Sequence, residues 1–215
     1  MISCKRFNFP FSEKWSRKAG VNLPEPMMGI CAGSPNRWTI VVSGGFLTKT
    51  NDYSDKAHIF DIQSQEWYTK PWTKLHYGPF MDATCNTVHW QGEKVILEAG
   101  GYNGSALSST QMFDLETKRL IEFGYILPYG SRSAVMAELG KKPILAGGVK
   151  CTGTFHEKQT CSRSKDVLAL EQVIVQNKSQ AFWNILPMTL LQPKSSHTIM
   201  LVPKTFGEDC DPVDP

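Results

Sequence analysis

Residues 94–120 read KVILEAGGYNGSALSSTQMFDLETKRL, and this stretch decides the fold. An apolar run, Val95, Ile96 and Leu97, ends on the doublet Gly100-Gly101. A polar loop follows from Tyr102 to Ser109, then a second apolar pair, Met112 and Phe113, closed by turn residues at Asp114, Glu116 and Thr117. Short runs rich in Val, Ile and Phe, bounded by turn residues, argue strand rather than helix. The glycines let the chain leave a strand at positive φ or let another backbone come close.

The unit recurs. Upstream, Ile40, Val41, Val42 and Ser43 run into Gly44-Gly45, followed by His58, Ile59, Phe60 and Asp61 and then Trp67. Downstream, Pro143, Ile144, Leu145 and Ala146 run into Gly147-Gly148, followed by Val167, Leu168, Ala169 and Leu170 and then Trp183. The second glycines stand 56 residues apart (45 to 101) and then 47 apart (101 to 148). A period of about 50 residues with a doubled glycine per unit signals a repeat architecture.

These residues resemble the kelch repeat, in which an apolar strand ends in Gly-Gly and a Trp follows an aromatic strand residue at a set distance. The second unit departs from that pattern with Leu120 in the tryptophan position, and the third carries an insertion before Trp183. The resemblance implies an all-β fold, a β-propeller of four-stranded antiparallel blades, incomplete or of about four blades. The expected division is an outer part of a partial blade at 1–26, blades at 27–75, 76–128 and 129–190, an inner strand of a partial blade at 191–205, and a tail at 206–215. The third blade would hold a Cys-flanked insertion at 149–166. The alternation of Phe7, Phe9, Phe11 and Trp15 carries the first partial blade.

The 215 residues, 41% of them apolar, suit one domain with a sizeable core. A net charge of +3 without a basic stripe gives no reason to expect nucleic acid, and no apolar run is long enough for a membrane helix. Residues 1–18 lack the apolar centre of a signal peptide. Either the protein is intracellular, or its true start lies further upstream.

In such a blade the first-to-second turns fall at Ser34-Pro35-Asn36, Gln91-Gly92-Glu93 and Gly140-Lys141-Lys142, on one face of the disc. The opposite face carries the second-to-third loops at 46–56, 102–109 and 149–166, and the links between blades. That face would display Tyr53, Tyr77, Phe80, Tyr102, Tyr129, Arg132 and Phe155. Tyr and Arg suit interfaces because they combine contact area with a polar group. A second reading stands beside it, in which several of these rings pack down on the rim and close the core.

Six cysteines occur, at 4, 31, 85, 151, 161 and 210, without CxxC or zinc spacing. Cys31 and Cys85 lie in inner-strand patterns and are expected as buried apolar filler. Cys151 and Cys161 flank a polar insertion and are expected to form a disulfide. Asn103 and Asn177 head glycosylation sequons. Together with that cysteine pair they lean toward a secreted, extracellular protein, against the missing signal peptide.

Catalysis has little support in the residues. The five histidines share no metal spacing, and no nucleophile elbow, HExxH or phosphate loop occurs. The expectation is a non-enzymatic protein-binding module with a protein partner and no cofactor or metal. The alternatives are a propeller-based enzyme, copper oxidase-like or carbohydrate-active, and a substrate-adaptor fragment of a ubiquitin-ligase complex.

Overall fold

The structure is a computed structural model that describes residues 21–75, 78–114, 116, 119–123, 127–153, 159–175 and 178–195. Phe7, Phe9, Phe11, Trp15, Tyr77, Phe155, Asn177, Cys4, Cys210 and the expected strand beyond Ser195 lie outside them. The first repeat supplies β1 (Met27–Met28), β2 (Cys31–Asn36), β3 (Thr39–Ser43), β4 (Phe46–Leu47), β5 (Asp52–Tyr53), β6 (Ala57–Asp61) and β7 (Glu66–Tyr68). The second supplies β8 (Thr84–Trp90), β9 (Glu93–Ala99), β10 (Thr110–Asp114) and β11 (Arg119–Phe123). The third supplies β12 (Gly130–Arg132), β13 (Val135–Leu139), β14 (Lys142–Ala146), β15 (Val149–Thr152), β16 (Thr160–Arg163), β17 (Asp166–Val175) and β18 (Lys178–Thr189).

These strands form three four-stranded antiparallel sheets, β2-β3-β6-β7, β8-β9-β10-β11 and β13-β14-β17-β18. Each is a meander within one repeat, which makes it a blade. The glycine doublets close β3, β9 and β14, the second strand of each blade. Two three-stranded sheets, β1-β4-β5 and β12-β15-β16, are built where the chain leaves those second strands.

The blades stack face to face, and the middle blade shows why Val95, Ile96 and Leu97 of its second strand are apolar in succession. Val95 and Leu97 point into a cluster with Met112, Met136, Leu145, Leu168 and Trp183, between the second and third blades. Ile96 points the other way, into a cluster with Val41, Ala57, Ile59, Phe80 and Phe113, between the first and second. A strand buried on both faces has no use for polar alternation. Each such side chain contributes about 1.5–3 kcal/mol when fully buried.

Neighbouring inner strands are also tied by polar contacts. Ser34 donates its N–H to Thr87 Oγ1 at 3.0 Å, and Asn86 donates its side-chain N–H to Met136 O at 2.8 Å. Cys31 and Cys85, expected as unpaired filler, instead form a disulfide across the first two blades, with Cα atoms 5.9 Å apart. The pairing could not be read from the sequence, because it depends on β2 and β8 lying side by side. A second correction concerns Ser34-Pro35-Asn36, which lie inside β2 rather than in a turn. The register shifts between Gly33 and Asn36, and the chain turns at Arg37 and Trp38.

The two repeat tryptophans differ in setting. Trp183 is buried between blades and donates its indole N–H to Thr110 Oγ1 in the preceding blade at 3.0 Å. Trp67 packs on Phe60 with ring centroids 5.0 Å apart and is half-buried. It sits on the face of the first blade turned away from the second, because side chains alternate and Ile59 points into the shared cluster.

Candidate functional site

The doublets organise one face of the stack through a hydrogen-bond set that appears three times. Gly45, Gly101 and Gly148 donate their N–H groups to Phe80, Ser131 and Lys194 at 2.6, 2.7 and 2.7 Å, on segments that follow each blade. They accept in turn from Ser54, Leu107 and Ser164, each at 2.8 Å. The chain must pass so close here that a side chain has no room. A Cβ on Gly148, at φ +84°, would lie 2.7 Å from Ala134 Cβ and 2.8 Å from Arg132 O. The result is a rigid rim on which the second-to-third loops are mounted, a common arrangement for binding loops.

On that rim the first loop folds as the hairpin β4-β5, with Tyr53 edge-on to Phe46 at 5.5 Å between centroids. Tyr53 meets Tyr102 of the second loop at 6.4 Å, again edge to face. Arg132, on β12, lays its guanidinium over Tyr102 at 4.7 Å from the ring centroid. Phe46, Tyr53, Tyr102 and Arg132 thus form one row that crosses all three repeats. Tyr53, Tyr102 and Arg132 were expected on this face. Phe46 was not singled out, although its place directly after a glycine doublet was a usable signal.

Two other candidates do not reach solvent. Phe80 is 2% exposed and Tyr129 is 7% exposed, so neither can serve as a partner contact in this state. Phe80 fills the space beside Gly44 and joins the first inter-blade cluster. Tyr129 packs in the second cluster with the Lys150 ammonium 4.4 Å from its ring centre. Burial and the neighbouring Asp166 push its phenol above the usual range. Here the alternative of rings closing the core holds.

The third loop is the hairpin β15-β16. Its Cys151 and Cys161 face each other in register and form the expected disulfide, with Cα atoms 4.2 Å apart. Just before Cys161, the Gln159 side chain accepts the Ala106 N–H at 2.8 Å and donates to Ala106 O at 3.2 Å. It acts as a one-residue strand partner for the second loop. Asn103 sits in that same second loop, where its own N–H is donated to Ser105 O at 3.1 Å.

Charges on this face are unevenly compensated. Lys56 pairs with Glu25 at 3.7 Å, and Lys74 pairs with Asp55 at 3.5 Å. Lys150 holds Asp166 at 2.9 Å. Burial opposes ionisation of Asp166, but the hydrogen bond from Lys150 and the groups around it win and lower its pKa. Beneath the rim, Glu98 is buried between the first two blades and accepts from Ser43 and, at 2.8 Å, from Gln111 Nε2. Burial pushes its carboxyl up to about 7 despite those two donors.

The two described histidines, His58 and His89, are held by structural contacts. His58 Nδ1 lies 2.7 Å from Thr69 Oγ1, and burial lowers the pKa of the ring. His89 Nδ1 lies 3.0 Å from Glu138 Oε1 across the second and third blades. Among the described residues no group of three His, Cys, Asp or Glu side chains is placed to hold a metal ion, and no helix is long and apolar enough to cross a membrane. On the opposite face, a cleft of about 410 Å³ lies between the turns at Gln91-Gly92 and Lys141-Lys142. The cysteine pairs, both at disulfide distance, fit an oxidising environment. No family model matches the chain, and no curated protein matches it.

Proposed function

We propose that this chain is a kelch-type propeller that acts as a protein-binding module, and that its partner contacts the loop face. The observation that carries the reading is the row Phe46, Tyr53, Tyr102 and Arg132, assembled from three repeats on a rim held by the glycine doublets. Rigid aromatic rings offer large contact area at small entropic cost, and arginine adds directional hydrogen bonding. The cysteine bridges and the sequon at Asn103 support an extracellular setting for this contact.

The test is capture of partners from the source fluid or cell surface by wild-type protein, compared with two variants of unchanged circular dichroism. Tyr53→Asp combined with Tyr102→Asp should lose the partner at least tenfold. Lys141→Glu combined with Lys142→Glu, on the opposite face, should retain it. The reverse pattern would move the binding surface to the other side of the disc.

A further inference from the structure

The loop face changes character along the aromatic row. On the first repeat, Lys56 and Lys74 are matched by Glu25 and Asp55. On the third, the sheet β12-β15-β16 sets Arg132 opposite Val149, and Val149 opposite Arg163. Partners in register point to the same face of a sheet. Two guanidinium-bearing side chains therefore rise from one face, two strand spacings or roughly 9–10 Å apart at the backbone. Lys150, next along β15, points to the other face, where it meets Tyr129 and Asp166.

Lys165 follows two residues after Arg163, and Lys194 is drawn in beside it because its N–H is donated to Ser164 O at 3.2 Å. Arg163, Lys165 and Lys194 are exposed. Among the described residues none of these three, nor Arg132, takes part in an ion pair. Arg132 is nonetheless not free to wander. Its head is stacked on Tyr102, while its Nε is buried beneath.

Resting on the loop-face reading, we propose that this patch takes an extended acidic segment of a protein partner. Carboxylates of that segment meet Arg132 and Arg163, and an aromatic or apolar side chain lies on the row of Tyr102, Tyr53 and Phe46. Arginine receives carboxylates through paired, charge-assisted hydrogen bonds. An extended chain advances about 3.3 Å per residue, so acidic residues two or three positions apart span the two arginines. A uniform polyanion fits less well, because the four cations are followed by the aromatic row and then by Asp52 and Asp82, with Lys49 in the same hairpin as Asp52.

The test uses a random twelve-residue peptide display library, panned on the wild-type protein and on Arg132→Glu combined with Arg163→Glu. Selected peptides are then measured by fluorescence anisotropy at low and high salt. Expected are sequences rich in Asp and Glu with an aromatic residue, binding that falls at least tenfold in the double variant, and weakening with salt. A sulfated oligosaccharide is measured in parallel. Tighter binding of the saccharide than of any selected peptide would overturn the peptide assignment. Neutral or basic selected peptides that depend on Tyr102 but not on the arginines would overturn the acidic-segment proposal while leaving the loop-face reading intact. Peptides indifferent to both would sink both. Thermal melting of each variant shows that the fold is unchanged, and Arg132→Lys combined with Arg163→Lys should rescue part of the binding.

Discussion

At the scale of single residues, Glu98 is a fully buried carboxyl whose chemistry departs far from its ordinary behaviour. It sits two residues before Gly100, where the equivalent residues of the other repeats are Val42 and Leu145. Its folded pKa of about 7 lies above the ordinary 4.5. A raised carboxyl pKa means that the folded state holds the proton more tightly than the unfolded chain. The contribution is therefore fully present below pH 4.5 and is lost as pH rises through about 7. A shift of that size corresponds to roughly 3 kcal/mol. Denaturant titrations from pH 4 to pH 8 should show stability falling across this window, and Glu98→Gln should flatten the fall. An unchanged slope in the variant would mean that Glu98 is not the group responsible.

At the scale of elements, the two disulfides do different work. Cys31–Cys85 closes a separation of 54 residues and joins two blades, whereas Cys151–Cys161 closes a separation of 10 within one hairpin. Loop-closure entropy then assigns about 4 kcal/mol to the first and about 3 kcal/mol to the second. Replacing both cysteines of each pair by Ser should lower the denaturant midpoint more for the inter-blade pair. The hairpin pair should show itself elsewhere, because it holds the strand that presents Gln159 to Ala106. Its removal should speed amide exchange at 102–109, including the loop that carries Tyr102. Unaltered protection there would show that the Gln159 contact does not depend on the bridge.

At the scale of the whole molecule, stability comes from blade-to-blade packing, since each blade buries its apolar faces against its neighbours. Trp183 and Thr110 join the second and third blades by one buried hydrogen bond at 3.0 Å. A double-mutant cycle with Trp183→Phe and Thr110→Val should return a coupling of roughly 0.5–1.5 kcal/mol. Additive effects would mean that the two blades are held by apolar contact alone. The half-buried Trp67 has a different setting on the outer side of the first blade, so its replacement does not report on this junction.

What the sequence determined by itself was local and periodic. The strand before each doublet, the repeat length and the Cys151–Cys161 bridge were legible because neighbours along the chain define them. The exit of β9 at Gly100-Gly101 is one such case, since only glycine combines positive φ with the closeness required there. The candidate face was legible only in part: the sequence put Tyr53, Tyr102 and Arg132 on a common face without showing that they touch, while Phe80 and Tyr129 turn inward. An aromatic residue in a loop has the same one-letter appearance whether it caps a core or greets a partner. The inter-blade disulfide, the Gln159 contact and the pairing of Arg132 with Arg163 across Val149 were decided only by tertiary structure. Each joins residues far apart in the chain, and their meeting depends on strand register and blade stacking, which local sequence does not encode.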